Sequence, residues 1–246
     1  MIVTSSKNAF ISAAIIALAF VVCALILARP LDTFVNAKKS ITVTGSAKKQ
    51  IRSDLVVWQG SFSRQSDDLP KAYAALKQDA EKVKIYLVKK GVNQKDLVFS
   101  AVFTDTLYSS DPKTGRMTRD ITGYAMRQSV EVSSKDVDRI TTISREATEL
   151  IDQGILFQSF PPRYFYTKLN DIKVDMLAEA AKDAAARAEK MVSATGGKIG
   201  FLRSAKMGVF QITPLNSNAV SDYGINDTSS LEKEITAVVN AEFAIQ

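Results

Sequence analysis

Histidine is absent from the 246 residues and cysteine occurs once, as Cys23. The first absence removes the usual neutral-pH acid/base and the commonest transition-metal ligand. The second rules out an internal disulfide. Because Cys23 sits inside an apolar run, it also leaves the rest of the chain without a thiol for catalysis or for a Cys/His zinc site. A strong excess of one charge is missing too: 32 Lys and Arg face 26 Asp and Glu, a net of +6, and Lys7 and Arg29 flank the apolar run. So diluted an excess gives no electrostatic footprint for nucleic acid, and none is expected as a partner.

Phosphate and calcium loops are equally wanting. TGGKIG, Thr195 to Gly200, lacks the G-x-x-x-x-G-K-[ST] spacing and follows a helical pattern, so it reads as a helix terminator. The oxygen-rich stretches from Asp111 to Asp120 and from Asp222 to Asp227 miss the D-x-[DN]-x-[DN]-G pattern. Asp67 and Asp68 fall where a helix needs a cap, and Glu232 and Glu234 fall at the start of a strand. No catalytic residue, cofactor or metal ligand is assigned.

What is present is an uncharged run from Ala9 to Ala28, about 20 residues, the length of one helical crossing of a bilayer core. A cleavable signal is the competing reading. Its apolar region would be only about 7 to 15 residues long, and Ile26 stands three before the best cleavage point, where a small residue belongs. The run is therefore expected to stay as a signal-anchor over 1–29, followed by a linker over 30–40 and a folded domain over 41–246. Counting Lys and Arg beside the run favours keeping that domain inside, although long domains translocate despite such charge.

The domain alternates strands and helices. ITVTGSAKKQI (Ile41 to Ile51) and DLVVWQGSFS (Asp54 to Ser63) read as an antiparallel hairpin. A helix follows, capped by Asp67 or Asp68 with Pro70 in its first turn. Its apolar face holds Leu69, Tyr73, Leu76, Ala80, Val83 and Leu87, and it ends near Gly91. Strands over Leu97 to Ser109 and Ile121 to Ser133 bracket a polar loop. Ser133 or Ser134 caps a second helix along Val137, Ile140, Ser144, Ala147 and Ile151, which Gly154 stops.

An Ala-rich third helix opens at Asn170 or Asp171, with Val174, Leu177, Ala181, Ala184, Ala188 and Met191 on one side. A strand near Lys198 to Leu215, a polar loop, and a terminal strand complete the order. In that last strand Ile235, Ala237, Val239, Ala241, Phe243 and Ile245 share a face. Hairpins mixed with amphipathic helices make the fold class α+β.

Phe160, Pro161, Pro162, Arg163, Phe165 and Tyr166 form the candidate contact for self-association. The two prolines remove ladder donors, so the strand from Phe157 to Lys168 must be kinked or lie at an edge, with aromatics and cations interleaved beside them.

The order of these pieces resembles the SIMPL-domain family of bacterial cell-envelope proteins. It is carried by ITVTGSAKK, SDLVVWQGSFS, KKGVNQKDLVFSAV, ITGYAMRQSVEV, LAEAAKDAAARAEKMVSATGGKIG and VVNAEFAIQ. Ser53-Asp54 stands where that family often has Pro-Asp. The resemblance implies a non-enzymatic α+β protein, secreted or membrane-tethered, that forms homo-oligomers, some ring-like, with envelope proteins as further partners. It also places the domain outside the cytoplasm, on the periplasmic side of a bacterial inner membrane. An envelope hydrolase using Ser, Lys and carboxylate groups is the alternative, and a pocket with convergent titratable groups would favour it.

Overall fold

The computed structural model describes residues 13–23 and 39–246. Within the apolar run from Ala9 to Ala28, residues 13–23 form a helix, α1, exposed along its length; the rest of the expected anchor and most of the linker lie outside the described residues. Among the described residues no helix is long and apolar enough to cross a membrane.

From Ser40 the chain is α+β: β1 (Ser40–Arg52), β2 (Leu55–Ser66), α2 (Leu69–Lys89), β3 (Leu97–Phe99), β4 (Phe103–Ser110), β5 (Met117–Ser134), α3 (Val137–Glu146), β6 (Leu156–Ser159), β7 (Arg163–Phe165), α4 (Leu169–Ser193), β8 (Ile199–Met207), β9 (Gln211–Pro214), β10 (Ile225–Asn226) and β11 (Glu232–Ile245). One sheet has the order β1-β11-β9-β10, with β8 also on β11; the other runs β3-β5-β2-β6, with β4 on β5 and β7 on β2. The chain forms two compact units. One combines the described residues up to Lys48 with Lys173–Phe210 and Thr236–Gln246, and the other holds Lys49–Ile172 and Gln211–Ile235.

The expected hairpin of the first two strands does not form. β1 pairs in one sheet and β2 in the other. Ser53-Asp54, the connection, lacks the glycine or asparagine that two-residue hairpin turns need. It is drawn instead to other strands: the Ser53 N–H donates to the Leu231 carbonyl and the Asp54 N–H to that of Phe165, both at 2.9 Å.

In the larger unit the inward residues of β2 and β5, among them Val56, Trp58, Phe62, Met126, Val130 and Val132, pack with α2 and α3 in one apolar core. Asp68 caps α2 by accepting the Lys71 N–H at 2.8 Å. Its buried face is Ala72, Leu76, Asp79, Val83, Tyr86 and Leu87, whereas Leu69 and Tyr73 are exposed. The face is rotated from the expected one because Asp79 turns inward to meet Arg64. The cap of α3 is Asp136, which accepts the Arg139 N–H at 3.2 Å, rather than Ser133 or Ser134; Leu150 is buried and Ile151 is exposed.

The strand expected over Leu97 to Ser109 is broken at Ser100–Val102. There the Ser100 Oγ accepts the Ser129 N–H at 3.0 Å, and the Gln128 side-chain amide donates to the Ser100 carbonyl at 2.8 Å. A side-chain oxygen thus replaces a ladder carbonyl and turns the chain. The strand near Lys198 to Leu215 is likewise split into β8 and β9, and the loop after it contains β10, parallel to β9.

In the smaller unit α4 buries Met176, Ala180, Ala184, Ala188 and Val192, while Val174 and Met191 are exposed. The buried stripe has a strict spacing of four, the oblique ridge along which helices meet their neighbours. Gly45 of β1 selects it: a Cβ there would lie 2.2 Å from the Ala180 carbonyl oxygen and 2.4 Å from the Ala184 nitrogen. The side chain of Asp183 accepts the Ser46 N–H at 2.8 Å beside this contact. The helix ends as expected at the glycine pair, with the Gly197 N–H donating to the Val192 carbonyl at 3.1 Å.

Candidate functional site

The segment singled out for self-association lies on the outer side of β2. Gly60 pairs with Ser159 and Val57 with Arg163, so Trp58 and Gln59 face three residues, Phe160, Pro161 and Pro162. One residue too many on the outer strand makes a bulge, the place where a missing proline donor is tolerated. Phe160, Pro161 and Arg163 are exposed, Pro162, Phe165 and Tyr166 are half-buried, and Arg163 lies 3.8 Å from Glu131.

Next to the bulge the edge is closed from within. Tyr164 is buried, its N–H donates to the Thr228 carbonyl at 2.8 Å, and its own carbonyl accepts from Lys233 Nζ at 2.7 Å. Both main-chain groups of Tyr164 are thereby occupied. Its phenol reaches Thr141 Oγ1 at 3.0 Å, and Asp54 holds the Thr167 N–H at 2.7 Å.

Lys233 is only 2% exposed. Its second acceptor is the Asp227 carbonyl. Burial pulls its pKa below the usual lysine value, against the nearby Asp227 carboxylate. For Asp227, burial raises the pKa, but hydrogen bonds from Ser229 and Ser230 together with Lys233 prevail and hold it below the ordinary value. The amine thus serves main-chain carbonyls.

A second buried charge is Asp79, 1% exposed on the inner face of α2. Arg64 grips both its oxygens, Nη2 at 2.9 Å and Nε in a shorter contact. The hydrogen bond to Asp79 raises the arginine pKa further despite partial burial. Nearer the surface, Lys90 bridges Glu146 at 2.8 Å and Glu149 at 3.1 Å, and the Tyr86 hydroxyl meets Glu149 at 3.1 Å. The Lys90 contact lowers the Glu149 pKa, and burial raises that of Tyr86. Among the described residues no cluster of three or more His, Cys, Asp or Glu could hold a metal ion.

A cleft of about 340 Å³ runs along α2, with Tyr73, Lys77, Ala80, Glu81 and Lys84 on one wall and Leu97, Phe99, Val102 and Gln128 on the other. It adjoins the break in the β3–β4 segment.

Sequence reasoning passed over Lys233 and Asp79, although each carries a signal. Lys233 is two residues before Ile235 and continues the inward alternation of β11. Asp79 is three after Leu76 and four before Val83, on the apolar stripe.

No curated protein matches the chain. The family model described as SIMPL, a protein of unknown function (DUF541), matches residues 41–243, from β1 into β11, and the chain belongs to that family.

Proposed function

We propose that this is a membrane-anchored SIMPL protein whose domain lies outside the cytoplasm and self-associates as an envelope scaffold or binding module, without catalysing a reaction. The apolar run from Ala9 to Ala28 supports the anchor, by its length and lack of charge. The observation that carries the assembly is β8. Nine residues long, it pairs with β11 and with no other strand among the described residues, and it presents Phe201 (70% exposed), Leu202 (50%) and Met207 (57%). A strand paired on one side that presents apolar side chains is a template for a further strand, here from a second copy.

The kinked segment offers a contact of its own through the side chains of Phe160, Pro161 and Arg163, because its main chain is occupied at Tyr164. Against catalysis stands Lys233, a buried amine committed to two carbonyls.

Light scattering on the detergent-solubilised full chain tests the reading. A defined oligomer is expected, and Phe201→Lys with Leu202→Lys should dissociate it while circular dichroism stays unchanged. A wild-type monomer across a wide concentration range would sink the assembly.

A further inference from the structure

The half-buried apolar residues packed against the main core are Ala80, Leu97, Phe99, Val102 and Leu231, and the first four of them line the cleft between α2 and β3. The core is therefore left uncovered along that cleft. Its size falls within the range of small-molecule sites, roughly 300 to 1,000 Å³. Fully buried Leu76 forms its floor.

The walls are held before any ligand arrives. The Phe99 ring meets Phe62 edge-on at 6.4 Å, and Gln128 is tied to the Ser100 carbonyl at 2.8 Å. The break at Ser100–Val102 keeps β3 from running straight into β4, and Val102 turns into the cleft wall. At the mouth, Lys77 and Lys84 flank Glu81 on successive turns of α2. Neither ammonium has an ion-pair or hydrogen-bond partner among the described residues.

An apolar floor under two uncommitted cations complements a ligand with a hydrocarbon body and an anionic head. We propose that this cleft binds a medium-chain fatty-acid anion, its chain on Leu76, Leu97, Phe99 and Val102 and its carboxylate held by Lys77 and Lys84, whose two charges outnumber that of Glu81. The cleft shares no residue with β8, and its binding does not depend on self-association.

The test is equilibrium dialysis of radiolabelled decanoate against the full chain in lipid nanodiscs, with empty nanodiscs as the baseline. Saturable binding of one decanoate per chain is expected. Octanoate should bind about fifteenfold more weakly, the ratio for two buried methylenes at about 0.8 kcal/mol each. Lys77→Gln with Lys84→Gln should weaken decanoate at least about tenfold, the scale of a lost charged contact, and leave uncharged decanol unaffected. Ala80→Trp, at a half-buried wall position, should abolish both. No saturable excess over empty nanodiscs, undiminished decanoate binding in the double lysine variant, or full binding in a folded Ala80→Trp protein would each overturn the proposal. If Ala80→Trp does not fold, the double lysine variant, which changes exposed Lys77 and half-buried Lys84, decides alone.

Discussion

The amine of Lys233 lies 2.7 Å from the main-chain oxygen of Tyr164, so a side chain from β11 completes the hydrogen bonding of β7 in place of a neighbouring strand. A lysine at a sheet edge usually points to solvent and repels partners by its charge. Here it points inward and occupies the acceptor.

Replacing Lys233 with Met should leave the Tyr164 and Asp227 carbonyls unsatisfied and destabilise the fold by about 2 to 4 kcal/mol, measured by chemical denaturation. Burial, opposed by Asp227, sets the folded-state pKa below the lysine value of 10.5, so the folded chain holds this proton less tightly than the unfolded one. Stability from this site accordingly rises as pH climbs through the folded pKa and levels off above 10.5. The gap between wild type and Lys233→Met should widen over that window. A gap independent of pH would mean that the amine is not desolvated.

Arg64→Met strands the buried Asp79 carboxylate and should cost about 3 to 5 kcal/mol, whereas Arg64→Met with Asp79→Leu should recover most of that loss. Additive losses in the double variant, read from urea midpoints, would show that the pair is not coupled.

Asp183 has its pKa lowered first by the Ser46 N–H and then by Arg187, which lies 2.8 Å away. A depressed carboxylate contributes stability above its unfolded value, near 3.8, and loses it as pH falls through the folded value. Thermal melts of wild type and Asp183→Ala should therefore differ near neutrality and converge in acid.

The anchor is checked by alkaline carbonate washing, after which the protein should remain in the membrane fraction with Met1 at its N-terminus. Protease added to the outer side should digest the domain. A mature terminus near Arg29 would mean that the run is cleaved, and digestion only from the cytoplasmic side would reverse the orientation.

Local signals are legible in the sequence: Pro70 opening α2 with Asp67 or Asp68 as its cap, of which Asp68 serves, the glycine pair closing α4, and the alternation of β11, buried from Ile235 to Phe243 and half-buried at Ile245. What was not legible depends on distant partners. Ser53-Asp54 looks like a turn until Leu231 and Phe165 compete for its N–H groups. Residues three and four apart allow several overlapping stripes on α2 and α4, and the choice was made by Arg64 in one case and Gly45 in the other. The cleft required knowing that the Ser100 hydroxyl would displace a ladder bond. Of the proposed contact segment, the kink at Pro161-Pro162 was visible and the plug at Tyr164 was not, since Lys233 reaches it from the last strand.

Gly45→Ala should be among the most damaging single changes, costing more than about 4 kcal/mol or preventing folding. Gly115→Ala, where φ is +66° and nothing lies within 4 Å of the added carbon, should cost only about 1 to 2 kcal/mol in backbone strain. The nearest obstacles at position 45 are the Ala180 carbonyl oxygen and the Ala184 nitrogen, atoms every residue possesses. Shrinking Ala184 to glycine removes only its Cβ, 2.7 Å from the intruding carbon. A genetic screen for suppressors of Gly45→Ala should thus recover true revertants and no second-site changes on α4, because the obstruction is written in the peptide backbone and not in any side chain that selection could exchange.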